Sequence, residues 1–132
     1  MPAKEVVRAY FRAFNKHDAA AVTALFGKGG TYVDSAVPSG VKGDALNKYL
    51  RNHYAAFPDG RYRLTRTIET RDGLVAFEWR FTGTNTGALD DVPATNRAVE
   101  ILGSSMAQVR NGKIARLHGY YDRRAMFKQL GV

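Results

Sequence analysis

A change of hydrophobic period near the middle of the chain restricts what it can fold into more than any single motif. Up to Phe57 the apolar residues recur every three or four positions; from Tyr62 onward they recur every two. The first period belongs to helices with one buried face and the second to strands with one buried face. Helices first and strands afterwards exclude an alternating βαβ layout. The order predicts an α+β domain in which the early helices cover one face of a curved, mainly antiparallel sheet, leaving a pocket wherever side chains do not fill the concave face.

In the helical half, Val6, Val7, Tyr10, Phe11 and Phe14 mark one amphipathic helix. Asp18 is placed to cap a second, short helix carrying Val22, Leu25 and Phe26, which Gly27 and Gly29-Gly30 stop. Thr31-Tyr32-Val33 reads as a short strand and Pro38-Ser39-Gly40 as loop. A third helix opens near Gly43 and Asp44, carries Leu46, Tyr49, Leu50, His53 and Phe57 on one face, and ends at Pro58-Asp59-Gly60. In the strand half, Tyr62 to Thr70 and Leu74 to Thr82 flank Asp72-Gly73, and Val99 to Val109 and Lys113 to Asp122 flank Asn111-Gly112; both dipeptides favour hairpin turns. Val75, Phe77, Trp79 and Phe81 alternate with Ala76, Glu78, Arg80 and Thr82, so one face of this strand requires cover. Arg123 to Leu130 reads as a closing helix.

One domain over residues 1–132 accounts for the length, and neither a repeat nor a linker interrupts it. Apolar residues make up 45% and charged residues 24%, which suits a packed core and argues against disorder. No apolar run approaches a membrane span, and Met1 to Glu5 leads into an amphipathic pattern and not a signal sequence, so the expected location is cytoplasmic. With no cysteine, disulfides, thiolate metal sites and a cysteine nucleophile are excluded. The formal charge of +8 is the feature that points toward nucleic acid or anionic partners. Its basic residues are dispersed, as in Arg61-Tyr62-Arg63 and Arg123-Arg124, without a polybasic tail or an RNA-binding aromatic signature, and nucleic acid is not the expected partner.

Several local signatures join this order of elements: Phe57-Pro58-Asp59, Gly83-Thr84-Asn85-Thr86-Gly87, Pro93-Ala94-Thr95, Asn111-Gly112-Lys113-Ile114, Tyr120-Tyr121-Asp122 and Gln129-Leu130-Gly131. Together they resemble the SnoaL-like polyketide cyclases of the nuclear-transport-factor-2-like superfamily, along nearly the whole chain. The resemblance implies a conical fold with three N-terminal helices and an internal pocket, dimers or higher assemblies, and no metal or organic cofactor. It also implies an intramolecular aldol ring closure of a hydrophobic carbonyl substrate, with an aspartate matching Asp122 as general acid/base. Some cyclases of this family place a polar pocket residue, histidine among them, near the position of Gln108; glutamine can hydrogen-bond a substrate but cannot exchange protons near neutral pH.

Asp122 follows Ile114, His118 and Tyr120 by even steps, so a regular strand would turn all four into the pocket. A carboxylate in apolar surroundings is a better base for a carbon-bound proton than an exposed one. Asp122 also stands directly before the closing helix, where it can instead cap backbone N–H groups, and both roles remain open. His118 lies about 13 Å from Asp122 along an extended strand, too far for a dyad. His118 and His53 can each polarise a substrate carbonyl or sit hydrogen-bonded in the core; His17 reads as exposed. The three histidines lack metal-ligand spacing. Phe14, Tyr32, Phe57, Trp79, Phe81, Met106 and Tyr120 are the expected walls for a flat ligand, with core packing as the rival role for each. Asp34, in a turn, and Glu78, opposite Trp79, rank below Asp122. The outer sheet face with Ala76, Glu78, Arg80 and Ala107 is the expected homodimer surface.

Overall fold

A computed structural model describes all 132 residues. Helix α1 (Ala3–Asn15) buries the stripe Val6, Val7, Tyr10, Phe11 and Phe14. Asp18 caps the short α2 (Ala19–Ala24), accepting the Ala21 N–H at 3.0 Å. The helix ends sooner than the apolar pattern suggests, because Phe26 already belongs to strand β1 (Phe26–Asp34). Its glycines let β1 lie close beside a neighbouring strand: a Cβ on Gly30 would stand 2.4 Å from the Ile114 carbonyl oxygen. Strand β2 (Val37–Val41) returns antiparallel to β1 where loop was expected. Pro38 is tolerated there because β2 is the sheet edge. Helix α3 (Gly43–Ala56) then buries Leu46, Leu50 and Tyr54 at spacings of four.

Four strands follow: β3 (Arg61–Glu69), β4 (Leu74–Thr84), β5 (Ala98–Arg110) and β6 (Lys113–Tyr121), with α4 (Arg123–Leu130) closing the chain. The sheet order is β2-β1-β6-β5-β4-β3, with β1 and β6 parallel and every other pair antiparallel. Positive φ at Asn111 (51°) and Gly112 (74°) gives the tight β5–β6 turn that this dipeptide favours. The first three helices lie over one sheet face, and the core fills the space between them around Phe11, Phe14, Phe57, Phe77 and Trp79.

Cross-strand partners share a face, which fixes what looks inward. Phe77 opposes Ser105, Trp79 opposes Gly103 and Val75 opposes Ala107. Gly103 is required: a Cβ there would meet the Trp79 ring at 2.3 Å, and the indole N–H donates to Ser105 Oγ at 2.9 Å. Ala107 is therefore wholly buried, against its expected place on the outer face, while Ala76, Glu78 and Arg80 do face outward. Asn85, also wholly buried, fixes the segment after β4. Its amide donates to the carbonyls of Gly87 (2.8 Å) and Ala56 (3.3 Å), and its oxygen accepts the Thr95 N–H and hydroxyl, each at 2.9 Å. No helix is long and apolar enough to cross a membrane.

Candidate functional site

Between α1, α3 and the concave sheet face lies a pocket with about 90 Å³ of open space. That is less than the engineered apolar cavity of about 150 Å³ that holds benzene, so the space admits at most one small ring. Phe14, Tyr32, His53, Phe57, Trp79 and Phe81 line it. Tyr10, Tyr49, Tyr62 and Tyr121 add four phenols, and exposed Asn52 and Asp90 with half-buried Arg123 form the rim.

The carboxylate inside the pocket is Asp34, only 3% exposed. Its Oδ2 accepts the Tyr32 hydroxyl at 2.6 Å and the Tyr49 hydroxyl at 2.7 Å. Its Oδ1 accepts the backbone N–H groups of Ala36 (2.7 Å) and Val37 (3.2 Å), closing the β1–β2 turn. These four donors match the roughly four lone-pair positions that a carboxylate offers. Burial pushes both phenols well above the ordinary tyrosine range, with the Asp34 charge adding to the effect, so both remain donors.

Asp122 occupies a different environment. It is exposed, accepts the Ala125 N–H at 2.9 Å and caps α4, and it does not line the pocket. The reason is one extra residue. Gln108 pairs with Arg116 but Val109 pairs with Ile114, so Ala115 bulges from β6. After a bulge the inward set changes parity: Ile114 is buried, and then Leu117, Gly119 and Tyr121 face inward while His118, Tyr120 and Asp122 face out. His118 stacks on Tyr120 at 4.1 Å on the outer surface. Met106 and Gln108, expected in the pocket, are likewise outside, since their partners across β4 are the outward Ala76 and the strand-end Leu74. Met106 is 43% exposed, and Gln108 donates to the Asp72 carbonyl at 2.8 Å.

His53 lies among Phe81, Phe14 and Phe57, with ring centroids 5.1, 5.3 and 5.5 Å away. Burial lowers its pKa to about 4, assisted by His17, so its imidazole is neutral at neutral pH, and its buried Nε2 has no partner. His17, expected to be exposed, is partly buried, stacked on Tyr54 and in contact with the Gly60 carbonyl at 3.0 Å. No group of three or more His, Asp and Glu side chains gathers closely enough to hold a metal. Asp34 carried one usable sequence signal: it stands two residues after Tyr32, on the same side of a strand, whereas the turn chemistry around it suggested only a loop.

Helices laid over one face of a curved six-stranded sheet, with an aromatic pocket between, define the class of nuclear-transport-factor-2-like cones. The SnoaL-like domain model matches residues 7–117, and the chain belongs to that family. A search of curated proteins finds no match. Among solved structures, IdmH, a proposed polyketide cyclase from Streptomyces antibioticus, is 24% identical with a TM-score of 0.83, covering 100% of both chains. A proposed SnoaL-like polyketide cyclase from Jannaschia sp. CCS1 is 15% identical with a TM-score of 0.88, over 98% of this chain and 92% of its own. AclR, a proposed hydroxylase from Streptomyces galilaeus, is 19% identical with a TM-score of 0.84, over 98% and 95%. At these identities the likeness establishes the fold, and the differing names show that the fold hosts more than one assignment.

Proposed function

We propose that this chain is a polyketide cyclase-like enzyme that closes a ring in a hydrophobic carbonyl compound by acid/base chemistry, without a cofactor. The observation that carries the reading is a buried carboxylate, Asp34, joined to two phenols in the wall of an aromatic pocket. Membership of the SnoaL-like family and the cyclase-named neighbours support it.

Asp34 takes the role that the sequence reading gave to Asp122. Because all four of its acceptor positions are filled, it can take a proton only after releasing a donor. Tyr32 or Tyr49 supplies the exchange: its hydroxyl turns from Oδ2 to the substrate carbonyl oxygen, which acidifies the adjacent C–H and frees the Oδ2 lone pair. Asp34 then removes the carbon proton, the enolate carbon attacks the second carbonyl carbon, and the new alkoxide takes the proton back from the Asp34 carboxyl. The neutral His53 offers a hydrogen bond to a substrate oxygen from the Phe14, Phe57 and Phe81 side. The open space limits the part of a substrate that lies inside to about one small ring, with the remainder at the rim beside Asn52, Asp90 and Arg123.

The same four donors favour a second reading, in which Asp34 only closes the β1–β2 turn and the pocket binds a hydrophobic molecule without turnover. A mass-spectrometric screen of wild type and Asp34→Asn against aromatic polyketide esters and β-diketones, with binding followed in parallel, separates the two. Turnover lost in the variant with binding retained supports catalysis, and binding without turnover in wild type supports the binding module. We further expect a homodimer through the outer sheet face, where Ile68, Leu102, Met106 and Tyr120 lie exposed between charged residues. A monomer in sedimentation at micromolar concentration would contradict this.

A further inference from the structure

We propose that Arg123 is an anion receptor at the pocket rim, taking the carboxylate of a ligand whose apolar end lies inside, in exchange for Asp90. Arg123 is the sole lysine or arginine among the pocket-lining residues. Its guanidinium lies over the Phe127 ring at 4.8 Å and beside the Tyr121 hydroxyl, contacts that fix its direction and leave several of its five N–H donors free.

Its present ion-pair partner is a weak one. Arg123 Nη2 stands 4.0 Å from Asp90 Oδ2, beyond hydrogen-bond length, and the side chains are 39% and 66% exposed. Such a pair contributes little stability and is readily exchanged. Asp90 sits at a φ of 52°, in the left-handed region that aspartate enters more readily than most non-glycine residues, in the segment that Asn85 anchors. A planar guanidinium with five N–H donors matches a carboxylate in a paired, fork-like contact that Asp90 does not make. Asp34, the remaining charge in the pocket, already has its four donors and so does not compete with an incoming carboxylate for the Arg123 N–H groups. The net charge of +8 favours the approach of anions in general.

This inference rests on the pocket being the ligand site, as the proposed function does, but not on turnover. Trp79 is the only tryptophan and lines the pocket, so its fluorescence reports occupancy. The probes are 3-phenylpropanoate and its neutral methyl ester, each with one ring to suit the space available. Wild type is expected to bind the acid about fivefold to tenfold more tightly than the ester. In Arg123→Gln that ratio should fall to about one, in Arg123→Lys it should fall between the two, and in Asp90→Asn it should rise. Equal affinity for acid and ester in wild type, or an undiminished preference in Arg123→Gln, overturns the proposal. Binding of neither probe removes the pocket reading along with it. A clear acid preference in a protein that turns over no carbonyl substrate leaves the anion receptor standing and removes only the catalytic reading.

Discussion

Asp34 closes β1 and Asp122 follows β6, two strands paired in parallel with Val33 opposite His118. Each aspartate accepts backbone N–H groups two or three residues ahead, Asp34 from Ala36 and Val37 and Asp122 from Ala125. By local motif they are alike. Yet Asp34 is buried beneath two phenols inside the pocket, and Asp122 stands in solvent. What separates them is parity: β1 reaches its end with Tyr32 and Asp34 both turned inward, whereas the Ala115 bulge has already reversed β6. An acid at a strand end is a chemical resource only on the side that the ladder faces inward.

The contrast between inside and outside can be broken most easily at neighbouring residues of β4. Trp79→Ala should cost roughly 3–5 kcal/mol, as large core truncations do. Arg80→Ala, whose ion pair with Glu100 spans 3.9 Å at the surface, should cost under about 1 kcal/mol. Urea denaturation of the two variants checks this, and similar losses would mean that the strand does not face as described.

His53 sharpens the contrast through pH. Its folded-state pKa of about 4 lies below the ordinary 6.5, so between those values the unfolded chain binds more protons than the folded one. Stability contributed by keeping His53 neutral is therefore full above pH 6.5 and lost as pH falls toward 4. Up to about 3 kcal/mol is at stake across that window. Denaturation midpoints at pH 7 and pH 4.5 should move closer together in His53→Leu; an unchanged gap would show that other groups set the pH dependence. The smallest effect belongs to the outer aspartate. Asp122→Ala should lower stability by about 1 kcal/mol through the lost cap, with any turnover within about threefold of wild type.

Most of the fold was legible because each element carries its own local signal. The 3–4 spacing in α1, the Asp18 cap of α2, the Pro58-Asp59-Gly60 stop after α3, the Asp72-Gly73 and Asn111-Gly112 turns and the alternation of β4 all matched the structure within a few residues. Strand β2 was not legible, since an edge strand with Pro38 and Gly40 has neither alternation nor burial to reveal it. The pocket walls from α1, α3 and β4 were legible for the same reason as the fold. The end of β6 was not: a single extra residue at Ala115 leaves no mark in composition or spacing, but it moves every later side chain to the opposite face. Arg123 and Asp90 were illegible as a pair, because their meeting depends on how the segment fixed by Asn85 lies against the start of α4.

The central claim, that Asp34 and not Asp122 is the reactive carboxylate, is tested most directly by hydrogen exchange at carbon. Wild type, Asp34→Asn and Asp122→Asn are each incubated in D₂O with 2-methyl-1,3-cyclohexanedione ethers and related ring-sized ketones, and deuterium gain beside the carbonyl is followed by NMR. The account predicts exchange by wild type and Asp122→Asn within about threefold of each other, and a loss of about 10²-fold or more in Asp34→Asn. Exchange that survives in Asp34→Asn but disappears in Asp122→Asn would contradict it.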